Sequence, residues 1–296
     1  MTKTARLGRN GGLMVKRVAR QKAPTTTRGS ISGAGAKANL SGRRFVGKTV
    51  LVSGGAGGMG RAAALRFAAE GGKVGILDIL DKEGQEVERL IRESGGSALF
   101  VRTDASKSKA VTAGIAKINK QFGPIDVLFN HAGTVTVRPF HLTTEAEYDR
   151  LMDINVRSAF LVCRAVVAQM LENGGGSIVI TSSNGGEMGF ALESIYCMTK
   201  GAVLQLTRSL STEYRNHNIR CNAICPGFVK TAHGLREIKE LDGLGQKWSD
   251  ADLNAAQVRI CEPEEAAAAA LFLASDDASF INGAALYVDN GWFAKG

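Results

Sequence analysis

The chain has 296 residues, 44% of them hydrophobic, with 37 Lys or Arg against 28 Asp or Glu and a formal net charge of +9. That length and composition allow a large buried core, while the longest apolar run, 266–274, falls well short of the ~20 residues that a membrane-spanning helix needs. The charge is uneven: residues 1–45 hold 11 of the 37 basic side chains and no acidic one, which leaves 26 basic against 28 acidic, net −2, and argues against nucleic acid as a partner of the body.

Residues 1–45 are rich in Arg, Lys, Gly, Ser and Thr, with one short apolar patch over Leu13–Val18. They read as a disordered basic arm, and an acid-free, Arg- and Ser/Thr-rich composition also fits an organellar targeting segment. The body is otherwise expected to be cytoplasmic, with an organelle matrix as the alternative. Five scattered cysteines, odd in number, argue against a disulfide framework and for a reducing compartment. Cys221 and Cys225 have no second pair at zinc-site spacing, so no metal is expected.

From residue 48 onward, short β-rich runs alternate with longer helical stretches, the pattern of a parallel sheet covered on both faces. Strands are expected at Thr49–Val52, Lys73–Leu77, Ala98–Arg102, Val127–Asn130, Ser177–Thr181, Arg220–Ile224 and Ala285–Val288, in a single Rossmann-like doubly wound α/β domain over 46–296. Two long helices are expected over Glu145–Leu171 and Ser194–Tyr214. The polar, irregular stretch Thr231–Arg259 reads as a mobile lid.

After the first strand comes Ser53-Gly54-Gly55-Ala56-Gly57-Gly58-Met59-Gly60, opening into a helix. Such a turn needs backbone angles that side chains forbid, and it lets a pyrophosphate approach the main chain and the helix start. Asp78 ends the second strand 18 residues after Gly60, where a carboxylate accepts hydrogen bonds from ribose hydroxyls and repels a 2′-phosphate. NAD is therefore expected over NADP, and neither Gly57 nor Ile79 supplies a base to hold the extra phosphate, although Arg61 and Lys82 stand near. The Gly54-x3-Gly58-x-Gly60 spacing resembles the cofactor motif of the classical short-chain dehydrogenase/reductase family, and the similarity runs from about Lys48 to Trp292. By that resemblance Gly54, Gly58, Met59 and Gly60 bind cofactor, and Asp104 contacts adenine. Asn130-His131-Ala132-Gly133 stands for the family's Asn-Asn-Ala-Gly, with Asn130, Ala132 and Gly133 as cofactor-binding positions. His131 departs from the second Asn, and a structural role is expected for it.

Tyr196 and Lys200 lie four apart in an expected helix and so share one face. A neighbouring ammonium stabilises a phenolate and lowers the tyrosine pKa from near ~10, making it usable as general acid or base. The resemblance adds Ser183, 13 positions before Tyr196, as the group that binds the substrate oxygen, with Ser182 a competing position. It also adds Asn155, whose backbone carbonyl would extend a proton path from Lys200. Tyr196 and Lys200 would touch cofactor as well. Pro226, Gly227, Val229 and Thr231 resemble the family's turn beside the nicotinamide.

The resulting expectation is an NAD-dependent oxidoreductase that interconverts a secondary alcohol, or a diol or sugar hydroxyl, and a ketone. The alternative is a catalytically silent NAD-binding regulatory module. The pocket is expected to be lined by Gly185, Glu187, Met188, Glu193 and parts of 134–138 and 233–248. Its acids would suit a diol or sugar, while Met188, Phe190 and Trp248 would suit an alicyclic or aromatic ketone. A homotetramer or homodimer is implied by the resemblance.

Overall fold

In a computed structural model that describes residues 42–295, the apolar runs form seven strands. They are β1 (Thr49–Ser53), β2 (Lys73–Asp78), β3 (Ser97–Arg102), β4 (Val127–Asn130), β5 (Gly176–Thr181), β6 (Ile219–Pro226) and β7 (Ala285–Val288). Residues 1–41 and 296 lie outside the described residues, and most of the basic arm, its Leu13–Val18 patch and the targeting expectation lie there with them. All strand pairs are parallel, in the order β3-β2-β1-β4-β5-β6-β7.

Every residue of β1 is buried, as the run Thr-Val-Leu-Val-Ser requires when both faces are covered. Alternation along the strand divides the core. Val50 and Val52 pack with Phe67 of α1 (Gly58–Ala69), Val87 and Ile91 of α2 (Asp81–Glu93), and Ala270 and Leu271 of α9 (Pro263–Ala274). Leu51 faces the other way, toward Ile118 of α3 (Ser108–Phe122), Val162 of α5 (Ser158–Glu172) and Val203 of α6 (Ser194–Tyr214). The chain runs outward from β1 to β3 and then crosses back to β4, so a crevice opens beyond the carboxyl ends of β1 and β4. Ser53 and Asn130 stand opposite each other at that point and join side chains at 2.7 Å.

Two expectations change. The single helix over 145–171 is divided into α4 (Glu145–Met152), a wider π turn over Asp153–Arg157, and α5. An extra residue per turn rotates Asn155 into the interior, where it is 3% exposed. The stretch 231–259 is not irregular: it holds α7 (Ala232–Gly243) and α8 (Asp250–Gln257). Thr231 caps the first by accepting from the Gly234 N–H, and Ser249 closes a capping box with Asp252 on the second. Their apolar faces bury Leu241 and Leu253 with Val135, Val137 and Phe228.

Candidate active site

The glycine turn fixes one end of a cavity of about 630 Å³. Gly54 takes the left-handed φ of +73°, and a Cβ on Gly60 would lie 1.9 Å from the Gly54 carbonyl oxygen, so α1 rests directly on the turn. That helix begins after Gly57 with no side-chain cap and no acid in its first turn, which leaves its first N–H groups for an anion. Asp78 receives the Ala56 N–H on Oδ2 at 2.9 Å and the Leu80 N–H on Oδ1 at 3.0 Å, tying the second strand to the turn. Asp104 accepts from the Ser106 backbone and hydroxyl.

Gly54, Gly58, Met59, Asp78, Asp104, Ala132, Gly133, Ser183, Tyr196, Lys200, Pro226, Gly227, Val229 and Thr231 all border this one cavity. Gly60, Asn130 and Asn155 stand behind its wall. Asn130 accepts from Ser53 Oγ and donates to the Ala159 carbonyl at 3.1 Å. Asn155 accepts from the Thr134 N–H at 2.8 Å and donates to the Thr134 carbonyl and Thr199 Oγ1, pinning the loop after β4 to α6. His131 sets its Nδ1 3.1 Å from Thr181 Oγ1 and stacks on Phe129.

Tyr196 and Lys200 occupy the first turns of α6 on one face. The Lys200 ammonium donates to the Thr181 carbonyl at 3.0 Å and lies 5.6 Å from the Tyr196 ring centroid. Burial lowers it to about 8. The expected lowering of the tyrosine by that ammonium is not what this cavity produces: burial holds Tyr196 well above its ordinary value, Glu237 adds to the rise, and a hydrogen bond with Ser183 opposes it. The two candidate serines separate cleanly. Ser182 donates to the Lys200 carbonyl at 2.9 Å and is spent on α6, whereas Ser183, which accepts from the Gly185 N–H at 3.1 Å and donates to Asn184 Oδ1 at 3.2 Å, faces Tyr196.

The pocket beyond Tyr196 also departs from expectation. Glu187 points away and binds Arg208 and the Tyr287 hydroxyl, so it is not a lining residue. Met188 borders a separate shallow depression, Gly185 packs on Phe190 and Cys197, and Val135 and Val137 are core. Glu193, Phe190, Thr134, His233 and Trp248 do line the cavity. Gln257, unremarkable in sequence, accepts from the Phe228 N–H and donates to the Phe228 and Arg259 carbonyls, clamping the turn after β6. Arg236, within the expected 233–248 stretch, also lines the cavity, as do Arg150 and Trp292, which only the three-dimensional fold brings to the site.

A family model described as Enoyl-(Acyl carrier protein) reductase matches residues 54–293. A 2-(R)-hydroxypropyl-CoM dehydrogenase of Xanthobacter autotrophicus is 37% identical, over 83% of this chain and 99% of its own length. A levodione reductase of Leifsonia aquatica is 36% identical, over 84% of this chain and 95% of its own. A crystal structure of levodione reductase superposes with a TM-score of 0.81 at 35% identity, covering 86% of this chain and all of that one.

Proposed function

As a member of the classical short-chain dehydrogenase/reductase family, the chain is an oxidoreductase, and we propose that it interconverts a secondary alcohol and a ketone with NAD as the hydride carrier. The relatives' names, a hydroxypropyl-CoM dehydrogenase and a levodione reductase, support action on a CH–OH group or its ketone. The observation that carries the reading is one cavity with an uncapped helix start and the Asp78 carboxylate at one end and Tyr196, Ser183 and Lys200 at the other.

Bound across this crevice, NAD would be held by the Gly54–Gly60 turn, Asp78, Lys200 and the Pro226–Thr231 turn, and it supplies the hydride acceptor. The chain's residues handle the oxygen and the proton. Ser183 donates to the substrate oxygen. Tyr196 removes the hydroxyl proton in oxidation and returns it to the ketone oxygen in reduction. The phenol is protonated at neutral pH, as an ordinary tyrosine is, and burial strengthens its hold on that proton, so it can serve as the acid of ketone reduction. Lys200 steadies the cofactor ribose and, with the Asn155 backbone, relays the proton outward.

Replacement of Tyr196 by Phe should lower NAD-linked turnover roughly a hundred- to ten-thousandfold while NAD affinity, read by calorimetry, stays within about twofold. Turnover at the native rate in that variant would remove Tyr196 from the proposed mechanism. Asp78 supports NAD over NADP, and Asp78→Ala should raise KM for NAD more than KM for NADP.

A further inference from the structure

Past Tyr196 the cavity wall carries a pair of acids that the proton path does not use. Glu193 is the residue before α6, three positions ahead of Tyr196, and is only 3% exposed. Glu237 stands on α7 with its side chain 13% exposed. Both border the cavity, and their carboxyl groups are within hydrogen-bonding reach of each other.

Among the described residues no Lys or Arg forms an ion pair with either acid, although the charges of Lys200 and Arg236 reach Glu237. On α7, His233 Nε2 lies 3.8 Å from Glu237, but burial lowers this imidazole to about 4, so it is uncharged at neutral pH. Arg236 is turned to Thr134 Oγ1 and Glu240. On α6, Tyr196 and Cys197 are neutral neighbours, and Lys200 is committed to Thr181. Two adjoining carboxylates in one largely buried wall repel, which favours a proton shared between them and makes the pair both a donor and an acceptor. Burial raises both acids; the charge of Glu237 adds to the rise of Glu193, whereas the hydrogen bond with Glu193 and the charges of Lys200 and Arg236 lower Glu237 against that rise.

The second observation concerns unmet valence. Glu193 Oε1 is fully buried and, apart from the proton shared with Glu237, has no N–H or O–H directed at it among the described residues, and the indole Nε1 of Trp248, in the same lining, has no acceptor there. Buried polar atoms without partners cost stability, and both belong to residues that line the cavity.

We infer that the Glu193–Glu237 pair is a subsite for a second, uncharged substrate oxygen, a hydroxyl or carbonyl close to the reacting carbon. The site therefore selects diols and hydroxyketones over simple alcohols and disfavours anionic substrates. This inference rests on the reading of the same cavity as an alcohol dehydrogenase site.

The test separates the two. Tyr196→Phe protein loaded with NAD is titrated calorimetrically with cyclohexanol and with cyclohexane-1,2-diol, and wild-type turnover of the diol is measured apart. The expected diol preference is roughly tenfold or more in Kd. Adding Glu193→Leu should reduce it to near one, and Glu193→Gln, which keeps a donor and an acceptor, should restore most of it. Glu237→Leu repeats the loss without touching the start of α6. An absent preference, absent diol binding, or a preference unmoved by both Leu variants overturns the subsite. Diol turnover without preference removes the subsite and leaves the dehydrogenase. Preference retained without turnover supports the subsite and removes the dehydrogenase.

Discussion

His131 shows how one side chain at this crevice ties pH to stability. Its ring is held against Thr181 and Phe129, and burial, reinforced by the charge of Lys200, lowers it to about 3 from 6.5. A base depressed in this way is neutral in the folded chain and charged in the unfolded one across that interval. The unfolded state binds more protons there, so stability falls as pH drops from 6.5 toward 3. Because the ring borders the open cavity, the loss at pH 5 should be about 1 kcal/mol. His131→Asn carries no such titration and should lose less Tm between pH 7 and pH 5 than the wild type; equal losses by calorimetry would contradict this. Tyr196 and Lys200 were legible at this scale because a spacing of four within one helix is local information. The raised phenol was not, because burial and Glu237 come from elements distant in sequence.

At the scale of elements, the strands read almost to their ends because each is a short apolar run between glycine or polar breaks. β4 and β7 match their expected bounds. The π turn over Asp153–Arg157 had no comparable signal: its pattern continues that of α4 and α5, and only the interior hydrogen bonds of Asn155 repay the distortion. Asn155→Ala removes three of them, leaves the Thr134 N–H without its acceptor, and should lower stability by about 2–4 kcal/mol. An unchanged Tm in thermal unfolding would show that the turn holds without that side chain. α7 and α8 were hidden by Gly234, Gly243 and Gly245. Gly245 lies between the two helices, at a φ of +87°. Leu235, Ile238 and Leu241, spaced by three, were the signal available.

The whole molecule places one carboxylate, one glycine turn and one Tyr-Lys face at the carboxyl ends of a sheet whose strand order reverses beside β1. Charge plays little part in that placement, since the basic excess lies in residues 1–45 and the rest of the chain is near neutral. The function proposed at this scale is hydride transfer between an alcohol carbon and NAD, with the proton passing through Tyr196. The most direct measurement follows deuterium from the carbinol carbon of cyclohexane-1,2-diol during turnover with NAD, read by NMR of the recovered cofactor. Deuterium on the nicotinamide ring, formed by the wild type and lost with Tyr196→Phe, is the expected result. Oxidised diol with its deuterium in water, or label transfer that persists in Tyr196→Phe at the native rate, would contradict it.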